Sequence, residues 1–180
     1  EKNCFPQKLG VFALTEARRA HRYSDGAEIL VPAVRIVENG AVRMLVEAEF
    51  IWGRSRLVQT YCLPKAGTSF EIMQDIFWNE ADTMLKLEIP AAFKGDYLGQ
   101  GMFGSGSLPQ DGTECVSQKW CGLFGEKHAL TICNSGIYGS HCVGSTISLS
   151  LLRASAYAAH PIGARPLVQE ERFIPRMDQG

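Results

Sequence analysis

The sequence predicts an all-β fold, built as an antiparallel sandwich or barrel. Runs rich in β-branched and aromatic residues recur roughly every ten residues, with turn residues between them. Several runs alternate apolar and polar side chains, which is the period of a half-buried strand. No window keeps a helical period for three turns. Residues 11–22 fit a helix by the spacing of their alanines, or equally a strand followed by a loop.

The first predicted hairpin joins strands over residues 29–37 and 41–52. Asn39-Gly40 lies between them, and Asn-Gly is the strongest short hairpin signal, because both central residues of a type I′ turn need positive φ. In the second strand, apolar residues at alternate positions face a mostly polar set that includes Glu47 and Glu49. We therefore expect these two carboxylates on a solvent face.

Further strands follow, with turn residues between them. They are predicted over residues 56–63, 70–78, 84–89, 114–124, 128–134 and 146–152, with turns at 53–55 and 64–68. In the strand over 70–78, every second residue from Phe70 to Trp78 should line one face, and Glu71 and Asp75 should lie on the other. Glycines punctuate the connection between the last two strands.

The whole of residues 1–180 is expected to form one sandwich domain or a fragment of one. Residues 1–28 are predicted to be a strand and loop that lead into it. Residues 99–112 are rich in glycine, and residues 157–176 hold prolines and mixed charges, so both are predicted loops. Loops at the ends of a sandwich are where binding sites tend to lie.

The composition is globular and excludes several classes of function. Hydrophobic residues make up 46% of the chain and charged residues 21%, so disorder is not expected. Eighteen basic and nineteen acidic residues give a net charge of −1, which argues against nucleic acid or an anionic membrane as partner. No apolar run approaches the roughly 18 residues of a membrane span. Both ends look cut, so we expect an excised piece of a longer protein.

The cysteines are predicted to be free thiols. They are Cys4, Cys62, Cys115, Cys121, Cys133 and Cys142. A chain of this length needs no disulfide to hold a core, and several of the cysteines lie in apolar runs, as small hydrophobes do. No Cys-x-x-Cys and no closely spaced His pair is present, so no metal ligand is assigned. Free thiols point to a reducing cytoplasm.

The stretch from Gly99 to Gly104 matches the pattern G-x-G-x-x-G, but its context does not fit a dinucleotide site. Such a site needs the motif between a strand and a helix whose N-terminal amides hold the pyrophosphate. Here 105–109 reads Ser-Gly-Ser-Leu-Pro, so a glycine-rich loop is favoured. No nucleophile elbow, P-loop or His-Glu-x-x-His is present either.

The histidines leave one catalytic alternative open. They are His21, His128, His141 and His160. His128 opens a predicted strand and His141 lies in the next loop, so the two could approach each other. A histidine beside a carboxylate could open a sugar ring by general acid–base catalysis, as in aldose mutarotases. A surface or core histidine is the more frequent case.

Neither the carboxylates nor the tryptophans identify a site on their own. No two carboxylates can be placed at the separation of a glycosidase pair, so no catalytic residue is assigned. Trp78 is predicted to lie in the core. Trp52 and Trp120 remain open between core packing and stacking on a sugar ring.

Ordered motifs extend over residues 30–180. Trp78, Glu80, Leu85, Lys86 and Pro90 follow the spacing W-x-E, four residues, L-K, three residues, P. Further matches are Leu57–Leu63, Lys119-Trp120, Ala129-Leu130, Asn134, Tyr138-Gly139, Ser148–Arg153, Tyr157 and Asp178-Gln179-Gly180. In this order, the motifs resemble the C-terminal β-sandwich region of the α-mannosidases of glycoside hydrolase family 38. The chain departs from the family at 104–107, where many members carry a Glu-Arg-Pro element near the rim of the sugar site.

The resemblance implies an antiparallel supersandwich of the galactose-mutarotase-like kind, packed on a catalytic α/β barrel of the same protein. In the family, that barrel holds the zinc ligands, the nucleophile and the acid/base, and it hydrolyses terminal α-mannosides with retention. The resemblance therefore predicts that this chain alone is inactive and has no cofactor, and that it meets the mannoside only at the rim of the site. The residues that bind sugar are unknown. An exposed apolar face, covered by the barrel in the parent enzyme, is also expected.

Two alternatives remain. The first is a stand-alone carbohydrate-binding or mutarotase-like sandwich, which requires His128 or His141 beside a carboxylate on a concave face. The second is a purely structural interaction domain, which predicts a hydrophobic docking surface and no sugar binding.

Overall fold

The computed structural model describes residues 13–14, 18–22, 28–80 and 83–154 of the chain. In these ranges the fold is all-β, as predicted: every strand pairing is antiparallel and no helix occurs. Residues 13–14 and 18–22 lie in strands, so the helical interpretation of 11–22 is wrong for them. The chain divides into two compact units, residues 1–82 with 155–180 and residues 83–154, where the sequence analysis expected one domain. The predicted loop 157–176 and most of the predicted lead-in 1–28 lie outside the described residues.

The first unit is built on a five-stranded sheet. Its described strands are β1 (Ala13–Leu14), β2 (Arg18–Arg22), β3 (Glu28–Val31), β4 (Val34–Asn39), β5 (Arg43–Trp52), β6 (Ser55–Pro64) and β7 (Glu71–Phe77). The large sheet runs in the order β1-β5-β6-β7, and β4 also pairs with β5. Strands β2 and β3 form a separate two-stranded sheet.

The hairpin predicted at Asn39-Gly40 exists, but its turn is not of type I′. Asn39 pairs with Met44, and neither Asn39 nor Gly40 has a positive φ. The register shifts between Ile36 and Glu38, so Val37 forms a bulge in β4. In a half-buried sheet the side-chain pattern sets the register, and the turn adapts to it. As a result, the loop of this hairpin is longer than the predicted two-residue turn and extends beyond Gly40.

One of the two carboxylates predicted to face solvent on β5 is buried. Glu49 is 3% exposed, and its Oε1 accepts a hydrogen bond of 2.6 Å from Nε of Arg56. Arg56 lies on the neighbouring strand, diagonal to Glu49 in the register, where a long side chain can reach. Glu47 is half-buried and pairs with Arg35. The alternation predicted for β7 is confirmed, because Glu71 and Asp75 are exposed.

The turn between β5 and β6 is tight and is held from outside the hairpin. Trp52 and Ser55 pair directly, and Gly53 between them has φ of 57°, a left-handed conformation that suits glycine. The backbone N–H of Arg54 donates to Oε1 of Glu80 at 2.6 Å. Glu80 therefore holds a turn that is distant in sequence.

The residues just before Glu80 add further contacts to the β5–β6 turn. Ser55 Oγ accepts a hydrogen bond of 2.9 Å from the backbone N–H of Asn79 and donates to Glu80 Oε1 at 3.3 Å. Trp78 is 1% exposed, which confirms its predicted place in the core, and its ring lies 5.8 Å from that of Trp52. The segment Trp78-Asn79-Glu80 thus fixes the β5–β6 turn by packing and by hydrogen bonds.

The second unit is a sandwich of two four-stranded sheets. Its strands are β8 (Thr83–Pro90), β9 (Asp96–Gly101), β10 (Gly104–Ser107), β11 (Cys115–Val116), β12 (Trp120–Phe124), β13 (Ala129–Cys133), β14 (Gly139–Val143) and β15 (Thr146–Ala154). One sheet has the order β10-β9-β12-β13 and the other β11-β14-β15-β8.

The core of the second unit lies between these two sheets. Its most buried members are Tyr97, Cys121 and Leu123 from one sheet and Cys142, Ile147 and Leu149 from the other. The Tyr97 hydroxyl donates to Ser140 Oγ at 2.7 Å, so the one phenol in this core has a partner from the facing sheet. Burial raises the pKa of Tyr97, which keeps the hydroxyl neutral.

The single strand predicted over 114–124 is two strands in different sheets. The chain changes sheets between two consecutive residues: the N–H of Ser117 donates to Tyr138 O at 3.0 Å, and that of Gln118 donates to Gln100 O at 2.8 Å. Strand β14, in contrast, was not predicted at all, because its Gly139 and Ser140 and the flanking Gly136 and Gly144 indicate a loop.

Most of the glycine-rich stretch 99–112 is a hairpin and not a loop. Gly101 pairs with Gly104, and β10 continues to Ser107. A Cβ on Gly99 would lie 2.6 Å from Cδ1 of Leu108, so this glycine allows a close approach within the core rather than flexibility. No helix follows Gly104, which rules out the dinucleotide arrangement in this segment.

We expect Gly53→Ala to destabilise the first unit by roughly 1–2 kcal/mol, because alanine at positive φ is strained and its Cβ would meet the Glu80 carboxylate. The free energy of unfolding can be measured by urea denaturation with tryptophan fluorescence. Gly40→Ala is the control in the same unit, since Gly40 has ordinary φ and a Cβ there would make only ordinary van der Waals contacts; its effect should stay within about 0.5 kcal/mol. Equal losses for the two variants would contradict this account of the turn.

Candidate functional site

Four polar side chains meet on the outer face of the sheet β11-β14-β15-β8. They are Lys86 on β8, Glu114 just before β11, His141 on β14 and Ser150 on β15. Strand alternation places them there: the neighbours Leu149 and Cys142 point into the core, so Ser150 and His141 point away from it. We call these four residues the Lys86 network.

Lys86 is the centre of the network. Its Nζ lies 2.5 Å from Oε2 of Glu114, 2.9 Å from Nδ1 of His141 and 2.9 Å from Oγ of Ser150. Ser150 Oγ donates in turn to Oε1 of Glu114. A lysine ammonium has three N–H donors, so all of them are satisfied within the network. Lys86 is therefore a fixed cation and not a free amine.

The Glu114 side chain crosses the sheet at a glycine. Strand β14 lies between β11 and β15, and its residue Gly139 is opposite Val116, two residues along β11 from Glu114. A Cβ on Gly139 would lie 3.1 Å from Oε1 of Glu114 and 3.3 Å from Cβ of Ser150. The absence of a side chain there lets the carboxylate reach over β14 to β15 and β8.

The network holds Glu114 in its ionised form. Partial burial opposes ionisation, but hydrogen bonds from Lys86 and Ser150 and the charge of Lys86 outweigh it and lower the pKa of Glu114. A carboxylate with a lowered pKa is a weak base. Glu114 is thus suited to holding a cation and poorly suited to abstracting a proton.

His141 makes two contacts through the same ring nitrogen. Its Nδ1 lies 2.9 Å from Nζ of Lys86, which can only donate, and 3.3 Å from Oε2 of Glu114, which as a carboxylate can only accept. The shorter contact favours the tautomer in which Nδ1 accepts from Lys86 and Nε2 carries the proton. The His141 side chain is 22% exposed. In this tautomer, Nε2–H is a donor that the network does not use.

The other predicted site residues do not join the network. His128 lies just before β13, a strand of the sheet that does not carry His141, and its ring lies 5.7 Å from that of Phe93. The predicted approach of His128 to His141 is therefore not seen. Trp120 packs edge-on against Phe124. His160 and the side chain of His21 lie outside the residues that the structure describes.

Several motif residues have clear structural roles. Asn134 Oδ1 accepts hydrogen bonds from the N–H groups of Gly136 and Ile137 at 3.1 and 2.8 Å, and its Nδ2 donates to Gln118 O at 3.3 Å. It shapes the loop before β14 and ties it to the segment where the chain changes sheets. Tyr157 and residues 178–180 of the other motifs lie outside the described residues.

The five described cysteines are free thiols. Cys121 and Cys142 are buried as small hydrophobes, Cys62 and Cys115 are half-buried, and Cys133 is exposed. Burial raises the pKa of Cys115 and of Cys142 and keeps both thiols protonated. Within residues 32–80 and 83–154, no three His, Cys, Asp or Glu side chains are grouped so that they could hold a metal ion. The same residues contain no helix that could cross a membrane.

The network as a site was not predicted from the sequence. His141 was a candidate, and Lys86 and Ser150 belonged to matched motifs, but nothing connected them, and Glu114 carried no signal. Glu114 is 28 residues from Lys86 and 36 from Ser150, so only the strand order brings them together. Gly139 was the one indication in the sequence, and a glycine in such a context is typical of a loop.

We expect the stability that Glu114 contributes to depend on pH. Because its pKa is lowered in the folded state, the contribution is complete above the unfolded value of about 4.3 and is lost as pH falls through the folded value. Glu114→Gln should therefore destabilise the second unit at pH 7 by about 1 kcal/mol or less, a modest effect because the side chain is 45% exposed.

The difference between wild type and Glu114→Gln should shrink below about pH 4, as measured by urea unfolding at several pH values. Glu88→Gln is the matched control, since Glu88 is exposed on β8 and forms no ion pair with the described residues. A difference for Glu114→Gln that does not change between pH 7 and pH 3 would refute the assigned role.

Comparison with known proteins agrees with the sequence motifs. The model of the family described as "Glycosyl hydrolases family 38 C-terminal domain" matches residues 6–161. No curated protein sequence matches the chain significantly. The matched range includes all strands of both units, together with the Trp78-Asn79-Glu80 segment and the Lys86 network. The chain therefore belongs to the C-terminal domain family of the family 38 glycosyl hydrolases.

Proposed function

We propose that this domain supports an α-mannosidase and does not itself carry out the reaction. In this proposal the chain packs on a zinc-dependent catalytic barrel of the same protein, in the cytoplasm, and helps to hold the rim of the mannoside site. The barrel supplies the zinc, the nucleophile and the acid/base. The family membership over residues 6–161 is the basis of this proposal.

The exposed apolar residues of β4 are the observation that most favours a packing role. Val34, Ile36 and Val37 are 48%, 62% and 55% exposed. Among the described strands, β4 pairs only with β5, so its other edge has no partner there. An apolar strand edge in water is a liability that proteins normally cover. A domain that docks against a larger neighbour would bury it.

The Lys86 network supports the same proposal from the second unit. All three ammonium donors are used inside the network, and Glu114 is held ionised. A saturated network stiffens a sheet and positions loops, as supporting shells do around an active site elsewhere. It offers little to proton transfer or nucleophilic attack.

We expect the 180-residue chain to show no turnover of an aryl α-mannoside, with or without added Zn²⁺. The release of the chromogenic aryl alcohol can be followed by absorbance. Metal-dependent turnover that disappears in His141→Ala would contradict the proposal, because the reaction would then run on this domain.

Variants on β4 test the packing itself in the full-length enzyme. Ile36→Lys should leave the unfolding free energy of the 180-residue chain within about 0.5 kcal/mol, since Ile36 is exposed, and yet lower the α-mannosidase activity of the whole protein. Val42→Lys is the control: Val42 is 79% exposed but lies in the loop between β4 and β5. Equal activity for both variants would count against β4 as the docking edge.

A second candidate is a mutarotase-like or carbohydrate-binding sandwich that acts alone. It is favoured by one observation: His141 Nδ1 lies 3.3 Å from a carboxylate oxygen of Glu114, the pairing that this alternative requires. The bound Lys86 and the lowered pKa of Glu114 argue against catalysis by the pair. Sugar binding through the Nε2–H of His141 remains compatible with the geometry.

Titration of the chain with mannose and galactose separates the two candidates. If the domain is a supporting scaffold, we expect no sugar binding at His141 up to tens of millimolar sugar. Each tenfold change in the dissociation constant corresponds to about 1.4 kcal/mol of binding free energy. The measurement is the shift of amide NMR signals on β14 and β15. Saturable shifts there at low millimolar sugar, lost in His141→Ala, would favour the stand-alone candidate.

A further inference from the structure

The five-stranded sheet of the first unit carries a shallow open groove. Arg56, Val58, Asp75, Ile76 and Phe77 line it, and its volume is about 270 Å³. In the register of β6 and β7, Arg56 is opposite Phe77 and Val58 is opposite Asp75. Residues directly opposite each other project from the same face of a sheet, so these four side chains form one surface.

The guanidinium of Arg56 is held by a buried carboxylate on the same face of the sheet. Its Nε donates to Oε1 of Glu49 at 2.6 Å, and the Glu49 side chain is only 4% exposed. The Arg56 side chain is 44% exposed, and its terminal Nη groups have no hydrogen-bond partner among the described residues. A buried carboxylate that fixes one N–H of a planar fork leaves the remaining donors with a defined direction.

The opposite wall of the groove offers an acceptor and an aromatic surface. Asp75 is exposed and accepts no hydrogen bond from the described residues, so its carboxylate oxygens are available. Phe77 is 54% exposed, so its ring presents an aromatic surface to solvent. Val58, half-buried, lies directly opposite Asp75 on the neighbouring strand and adds apolar surface to the groove.

This combination selects for an uncharged ring that has polar edges and an apolar face. A simple anion would be repelled by Asp75 and a simple cation by Arg56. Hydroxyl groups can donate to Asp75 and accept from Arg56, while C–H groups, which carry partial positive charge, favour the negative face of an aromatic ring. The groove lies just below the roughly 300–1,000 Å³ of sites for drug-sized ligands, which suits a single ring.

We propose that the groove formed by Arg56, Val58, Asp75 and Phe77 binds the ring of an uncharged pyranoside. The site is on the first unit and shares no residue with the Lys86 network. Glu49 is a positioning residue in it, because it orients Arg56 without reaching the groove surface. The proposal does not depend on the presence of a catalytic barrel.

The test is an NMR titration of the ¹⁵N-labelled 180-residue chain with methyl α-mannopyranoside and methyl β-glucopyranoside. We expect saturable shifts of amide signals in β6 and β7, with a dissociation constant in the millimolar range. Phe77→Ala should weaken binding by about tenfold, because it removes the aromatic surface. Arg56→Lys should also weaken it, since an ammonium cannot replace the fork.

Met73→Ala is the matched control. Met73 is 48% exposed on the same strand and face but does not line the groove, so its loss should leave the dissociation constant unchanged. Unfolding midpoints of the variants verify that each is folded, which is expected because the replaced groups are exposed.

Three results would overturn the proposal: no saturable shift, binding that Phe77→Ala does not weaken, or binding that is lost in His141→Ala and kept in Phe77→Ala. The last would move the sugar to the Lys86 network. None of these results bears on whether an α-mannoside is hydrolysed elsewhere in the protein, which the aryl mannoside assay measures separately.

Discussion

The arrangement of the second unit depends on one carboxylate, which crosses strand β14 at a glycine. Glu114 reaches over Gly139 to contact Lys86 and Ser150, and so connects three strands of one sheet. Because the Glu114 side chain is 45% exposed, solvent screening keeps the contribution of these contacts to about 1 kcal/mol or less. The contact with Lys86 favours one tautomer of His141. Everything that this face of the sheet can bind follows from that constraint.

The first unit uses carboxylates in a comparable way. Glu80 secures the turn between β5 and β6, and Glu49, almost without exposure, orients Arg56. Each of these acids has a donor within hydrogen-bonding distance, and each joins segments that are adjacent in space through the sheet. In a domain of a glycosyl hydrolase family, carboxylates invite a catalytic interpretation. Here Glu80 contacts the backbone of a turn and Glu49 contacts the guanidinium of Arg56.

The sequence was a good guide to strands and faces. The alternation in 70–78 identified the exposed side of β7, and the position of Trp78 in its strand identified a core residue. Side-chain period depends only on neighbouring residues, so it can be read directly. The type I′ turn predicted at Asn39-Gly40 was wrong because a bulge at Val37 changed the register. Whether a bulge forms depends on both strands together.

Other features could not be predicted because they depend on pairs that are distant in sequence. The break of 114–124 into two strands requires the positions of both sheets, since Ser117 bonds to one and Gln118 to the other. The burial of Glu49 depends on Arg56 being diagonal to it. The Lys86 network is the strongest case, because its members come from four separate segments.

The outermost strand β10 has a consequence for how the protein behaves at high concentration. It forms one edge of its sheet, and its sequence Gly-Ser-Gly-Ser is exposed throughout. A strand from another molecule that paired there would gain backbone hydrogen bonds but find no large side chains to interdigitate with. Glycine also costs more conformational entropy to order than any other residue. The exposed β10 edge therefore disfavours the strand-by-strand addition of further molecules that fibril growth requires.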